Sequence, residues 1–208
     1  MNRRFIPPSR KEGASQKLLN AALTLIRERG YASTSVDALC ARAGVTKGAF
    51  FHHFKSKDDL AVAAVHYWSE LTGAFFETAP YHGHTDPLDR ILGYLDFRKS
   101  ILTGEIAEFT CLAGTMLQEM YHTNPVIREV CAASIRGHTA TLEPDIAQAM
   151  EQYRIQVPWT AESLSLHMQA VLQGAFILAK ASGGAAIAAE SLDHLHRYIQ
   201  LLFQPRGQ

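Results

Sequence analysis

Residues 34–60 read TSVDALCARAGVTKGAFFHHFKSKDDL, and the punctuation of this stretch decides the fold. Thr34-x-x-Asp37 has the form of a capping box, in which a hydroxyl and an acid one turn apart satisfy free backbone N–H groups. A short helix is expected from there to about Ala43, with Gly44 ending it. Thr46 is a fresh N-cap for a helix running to Phe54, and Ser56-x-x-Asp59 opens a long helix toward Pro80. Two short capped helices joined by Ala43-Gly44-Val45-Thr46 make a helix-turn-helix with glycine at the turn. In that geometry the second helix enters the major groove of duplex DNA and turns its N-terminal residues toward base edges.

Upstream, Leu18, Ala22, Leu25 and Ile26 recur at helical spacing, so an amphipathic helix starts near Ser15. Gly30 is expected to stop it in a left-handed conformation, with Tyr31 folding back as the apolar contact. Residues 1–13 read as an arm, since Pro7-Pro8 and Gly13 oppose early helix, and Arg3, Arg4, Arg10 and Lys11 make it basic. Charge separates the same way. Residues 1–57 hold eleven Lys/Arg against three acids, a balance of +8, and the remainder holds nine against seventeen, a balance of −8. A basic module that meets a polyanion is therefore joined to an acidic one with another task.

Downstream, no Val/Ile/Thr-rich alternation and no repeat interrupts a helical pattern. A loop is expected over residues 81–86, a helix from Pro87, and another over about 105–122. Asn124-Pro125 restarts the chain in a helix that should kink near Pro144. Thr160 caps a long apolar helix to Ser182, Gly183-Gly184 breaks it, and Ser191 lies near the start of the last helix. Leu164, Met168, Val171, Leu172, Ala175 and Leu178 form one broad apolar face, and Leu192, Leu195, Ile199 and Leu202 another, with Gly174, Ala175 and Ala179 small enough for close helix approach.

Composition removes several classes. No stretch reaches the roughly 18 apolar residues of a membrane span, and the basic N-terminus lacks an apolar run behind it. Three cysteines at 40, 111 and 131 show no paired spacing, which suits a reducing cytoplasm. There is no Gly-rich phosphate loop, HExxH, GxSxG or zinc-spaced Cys/His set, so no enzyme, cofactor or metal site is expected. His52-His53, His82-x-His84 and His194-x-His196 each lack the further ligands a metal requires.

Residues 15–60, and above all the stretch quoted first, closely resemble the N-terminal domain of the TetR family of regulators. The resemblance implies base contacts from Lys47, Gly48, Ala49 and His52, and a grip on the DNA backbone from Ser35, Thr46, His53 and Lys57. Lys47 can donate to guanine O6/N7 and the Ala49 methyl can touch a thymine methyl. Where the family usually carries tyrosine this chain has Phe51, so one phosphate-directed hydroxyl is missing. The family pairs its last two helices with those of a second copy as a four-helix bundle.

The body more weakly resembles the electrophile-responsive branch of that family, typified by the N-ethylmaleimide-responsive repressor. Thr110-Cys111-Leu112 begins one helix there and residues 174–182, including Lys180, end another. That resemblance implies a sensing Cys111 assisted by Lys180, because a nearby ammonium raises the thiolate fraction. Phe97, Met116 and Met120 supply apolar lining for an effector.

The expectation is an all-α chain in two domains. Residues 1–57 form a three-helix DNA-binding domain with its arm, and residues 58–208 a larger helical domain for effector and dimer. It acts as a dimeric cytoplasmic repressor on a palindromic operator, released by a small molecule of unknown identity. A helical ligand-binding dimer or an activator is the alternative, and the long helix from Ser56 is the natural lever between the two domains.

Overall fold

The computed structural model describes residues 13–204, so Arg3, Arg4, Arg10 and Lys11 of the basic arm lie outside the described residues. Among the described residues every regular element is helical. The first four are α1 (Ala14–Arg29), α2 (Val36–Ala43), α3 (Lys47–His53) and α4 (Lys57–Glu77). A 3-10 turn at Pro80–Gly83 precedes α5 (Pro87–Ser100), α6 (Ile106–Phe109) and α7 (Leu112–Met120). Then follow α8 (Pro125–Ala140), α9 (Glu143–Gln152), α10 (Ala161–Ser182) and α11 (Ala186–Leu202).

Local chemistry sets most of these boundaries. Thr160 and Ser163 close a reciprocal capping box at the start of α10, and Gly183, at φ 75°, ends that helix. Ser56 accepts from Asp59 N–H at 3.0 Å where α4 begins, while the Asp59 carboxylate takes Lys55 N–H at 3.2 Å. Several details differ from expectation. The cap of α2 is Ser35, whose Oγ accepts from Ala38 N–H at 3.2 Å. Thr34 is buried, and its hydroxyl donates to the Gly30 carbonyl at 2.7 Å, so it serves the preceding turn instead. The helix expected over residues 105–122 is two, α6 and α7, separated at Thr110 and Cys111. Pro144 does not kink a continuous helix: α8 ends at Ala140, and the proline sits in the first turn of α9, where its missing N–H has no intrahelical partner to lose. Ser191 lies inside α11, its hydroxyl on the Ile187 carbonyl at 2.8 Å.

The chain divides into two compact units. Unit 1 holds the described residues up to Phe75 together with Thr110–Ile135, and unit 2 holds Phe76–Phe109 with the described residues from Arg136. The core of unit 1 is continuous from α1 through α4 to α7 and α8, with Leu18, Leu39, Phe50, Leu60, Met116 and Ile127 all sealed from solvent. The helices of residues 14–53 therefore share their hydrophobic interior with Leu112, Ala113 and Cys131, far along the chain. Burying each of the Leu, Ile, Met and Phe side chains among these contributes roughly 1.5–3 kcal/mol.

In unit 2, α10 and α11 pack on each other through Leu164, Met168, Leu172 and Ala175 against Leu192, Leu195 and Ile199. Those residues belong to the apolar faces expected at a dimer interface and are buried within the chain, whereas Leu178 of the same faces is 46% exposed and Val171 and Leu202 are half-buried. Polar ties then fix α5. Asp86 caps it by accepting Leu88 N–H at 2.8 Å, and takes Gln152 at the end of α9 and Tyr153 just beyond it at 2.7 and 2.8 Å. Arg90 pairs with Asp145 at 2.7 Å and Lys99 with Asp193 at 2.6 Å.

Candidate nucleic-acid interface and effector residues

The reading helix α3 is built by its neighbours. Gly44, at φ 64° and ψ 38°, takes the left-handed turn that ends α2, and Val45 N–H reaches back to the Cys40 carbonyl at 3.0 Å. Thr46 starts α3 by accepting Ala49 N–H at 3.1 Å. Phe50 is fully buried and anchors the helix inward, its ring 6.0 Å from that of Phe54. Seven residues long, α3 has one side to bury, so Lys47, Gly48, His52 and His53 are presented to solvent. Ser35 and Thr46 are exposed at the two helix starts, and Ala49 is half-buried.

Two of the cations expected to contact DNA take partners within unit 1. The Lys47 ammonium pairs with Asp37 of α2 at 2.7 Å, both side chains exposed, and the Asp37 hydrogen bond and charge push the lysine above its ordinary value. Lys57 turns inward, donating to the Tyr31 carbonyl at 3.1 Å and lying 4.0 Å over the Tyr31 ring. Its expected phosphate contact would therefore compete with this internal one. Gly48 carries a different signal. A Cβ there would meet only Thr46 Oγ1, at an ordinary 3.7 Å. Nothing in the fold requires glycine at that position, although a helical glycine costs about 1 kcal/mol relative to alanine. Phe51, 56% exposed, places an apolar ring on the same short helix.

The turn between α1 and α2 is held from outside its own sequence. Glu119 of α7 accepts Tyr31 N–H at 3.0 Å and Ala32 N–H at 2.8 Å. Gly30, at φ 87° and ψ 165°, lies against that carboxylate, and a Cβ there would collide with Glu119 Oε1. Tyr31 is buried in the unit 1 core and takes a carboxylate cap on its N–H besides, while Gly30 ends α1 at positive φ but outside the left-handed helical conformation expected. Asp58 joins the same cluster, bonded by the Tyr31 hydroxyl and by Asn124 Nδ2 at 2.8 Å. Burial and the bond to Asp58 raise the Tyr31 phenol well above its usual value. No local motif marks the tie of Glu119, Asp58 and Asn124 to this turn, because the carboxylate and its backbone partner are 88 residues apart.

The expected effector residues divide between the units. Cys111 caps α7, with Sγ accepting Gly114 N–H at 3.4 Å. It is half-buried, whereas Cys40 and Cys131 are buried. Burial, then the neighbouring Cys111, pushes the Cys131 thiol up to about 12. Met116 is sealed in the unit 1 core and Met120 packs on its edge. Lys180, in the last turn of α10, and Phe97, in α5, belong to unit 2. Phe97 joins a ring cluster, 5.6 Å from Phe76 and 6.0 Å from Tyr81. Among the described residues no group of three or more His, Cys, Asp or Glu is placed to hold a metal, and no helix is long and apolar enough to cross a membrane.

Comparison with known proteins agrees at both ends of the chain. Residues 18–64 match the profile of bacterial regulatory proteins of the tetR family, and residues 87–195 match the tetracyclin repressor-like C-terminal domain. The transcriptional regulator AcuR of Cereibacter sphaeroides is 30% identical over 107 residues, 51% of this chain, and the match spans 49% of AcuR, about half its length. A TetR transcriptional regulator from Chloroflexus aurantiacus has a solved structure that is 28% identical, with a TM-score of 0.78 over 90% of this chain and 94% of that one. The reduced form of Escherichia coli NemR shares the fold at 22% identity, with a TM-score of 0.75 over 88% and 94% of the two chains. These relatives are named as regulators of transcription, not as enzymes. With more than half of its length matched by the C-terminal profile and the helix-turn-helix by the other, the chain belongs to the TetR family of transcriptional regulators.

Proposed function

We propose that two copies of this chain bind a two-fold symmetric operator as a cytoplasmic repressor, and that a small molecule bound by the helical body releases them. The observation carrying this reading is Gly48, a glycine in the exposed first turn of α3 that the fold does not need, beside Lys47, Ala49 and His52. Absence of a side chain there lets a base or phosphate approach the helix closely. Ser35, Thr46 and His53 flank that surface and grip the backbone, with Lys57 joining once it exchanges its Tyr31 contact for phosphate. In this reading residues 1–57 carry the DNA contacts and residues 58–208 the effector and dimer functions.

Two reading helices must address half-sites about 34–36 Å apart, which a two-fold dimer provides. The surface for it is the outer side of α10 and α11, where Leu166, Ile177, Leu178, Tyr198 and Leu201 are exposed. Leu178 already belongs to the face expected from the sequence, and the other four take the place of the residues that face inward. An effector that binds more tightly to the form with mismatched reading helices shifts the dimer off DNA by that difference in affinity. A second input is proposed at Cys111, supported by its exposure relative to the other two cysteines.

Selection of duplexes from a random pool at near-physiological salt tests the central claim. The expected result is a palindrome whose half-sites lie one helical turn apart, bound with a salt slope that falls by about one in Lys47→Ala. A folded dimer that enriches no motif would reduce the chain to a helical dimer without operator function.

A further inference from the structure

Three cations lie along α5, and two of them are matched: Arg90 by Asp145 at 2.7 Å and Lys99 by Asp193 at 2.6 Å. The third, Arg98, has no carboxylate partner among the described residues. Its Nε donates to the Tyr94 hydroxyl at 2.9 Å and its Nη2 to His138 Nε2 at 2.8 Å. The Tyr94 hydroxyl donates to the same His138 nitrogen at 2.9 Å. Both of Arg98's acceptors are therefore neutral, and His138 must be the tautomer with Nε2 unprotonated to accept both bonds. Desolvation and the Arg98 charge keep that imidazole neutral, lowering it to about 3.

The surroundings are aromatic. The guanidinium carbon lies 4.4 Å over the Phe76 ring, which meets Phe97 edge-on at 5.6 Å and His138 at 4.9 Å. Tyr81 closes the cluster 5.6 Å from Tyr94. Removing a guanidinium from water without an opposite charge is costly, and lying over the Phe76 ring, with the Tyr94 ring 5.4 Å away, recovers only part of that cost. Of its five N–H donors two are used, and no other described group accepts the rest. Arg98, Phe97 and His138 all keep some exposure, so a solute can reach the charge.

We infer that Arg98, fixed by Tyr94 and His138 over the Phe76 ring, receives the carboxylate of a small apolar or aromatic acid. The planar fork matches a carboxylate, one positive charge calls for a monoanion, and rings with neutral acceptors disfavour a heavily hydrated phosphate. This inference rests on the body being the effector-binding part, and it supplies the effector's chemical class.

Calorimetric titration of the full dimeric chain, free of DNA, tests it with benzoate and hexanoate as probes. Benzyl alcohol, hexanol and inorganic phosphate are the controls. Benzoate or hexanoate should bind at least roughly tenfold more tightly than its neutral counterpart. Arg98→Met, which keeps the stem over Phe76, should lose roughly ten- to hundredfold, and Arg98→Lys should fall between. Equal binding of the alcohols, tighter binding of phosphate, unchanged affinity in a normally helical Arg98→Met, or no carboxylate binding up to about 10 mM would overturn the assignment. Operator affinity is followed separately by fluorescence anisotropy. Arg98-dependent binding without release from DNA keeps the site and removes its effector role, whereas release that persists in Arg98→Met removes the site and keeps an effector elsewhere.

Discussion

The carboxylate of Glu119 caps the backbone of Tyr31, 3.0 Å away across 88 residues of chain. It thereby sets the turn that delivers α2, and Gly30 makes room for it. Glu119→Gln keeps one acceptor and leaves one of two N–H groups poorly matched, so a loss of about 1–3 kcal/mol in urea unfolding is expected, with weaker operator binding. Gly30→Ala meets both the positive φ and the carboxylate, and should cost at least as much. Unchanged stability in both variants would mean that the cap contributes nothing.

Gly48→Ala separates folding from reading. Alanine meets open space there and favours helix, so thermal stability should rise by about 0.5–1 kcal/mol. Operator affinity should fall in the same protein, because the new methyl stands where DNA approaches. A stabilised variant that binds as tightly as before would remove the close-approach argument.

How much of this was readable from residues alone depends on distance along the chain. Helix starts at Thr46, Ser56 and Thr160 were, because a cap is a contact over three residues. At Ser35 the reading slipped by one, since Thr34 is an equally good cap until its hydroxyl is seen on Gly30. The ties of Glu119 to the Tyr31 turn and of Arg98 to His138 left no sequence signal, as these partners are brought together only by tertiary packing. Periodicity also identified apolar faces on α10 and α11 without telling which face the chain keeps for itself.

That ambiguity gives a test of assembly. Leu178→Glu and Leu201→Glu alter side chains that are 46% and 64% exposed, so each chain should fold normally. Light scattering should then report a monomer, with operator affinity reduced by the loss of the second reading helix. A dimer surviving the double substitution would place the interface elsewhere.

His138 makes stability depend on pH with a defined sign. Its folded value, about 3, lies below the ordinary 6.5, so between these limits the unfolded chain binds a proton that the folded chain does not. Stability is therefore complete above about 6.5 and falls on acidification by up to about 1.4 kcal/mol per pH unit, until the folded value is passed. His138→Asn should flatten that part of the profile in denaturant titrations across this range. An identical slope in the variant would assign it to other groups.

Limiting N-ethylmaleimide should modify Cys111 first, because Cys40 is 6% exposed and Cys131 fully buried. Peptide mapping at partial modification reads the order directly. Equal labelling of Cys131 would end the case for a sensing thiol at Cys111.

Unit 1 is assembled from two separated lengths of chain, with residues 76–109 assigned to unit 2 between them. Synthesis runs from the N-terminus, so α1 to α4 leave the ribosome well before Leu112, Met116, Glu119 and Ile127 exist to complete their interior. Closing that long excursion adds little thermodynamic cost but delays the last contacts. A nascent or truncated product carrying only the helix-turn-helix would consequently lack the interior that holds α1 to α4 together, and should be a poor competitor for DNA.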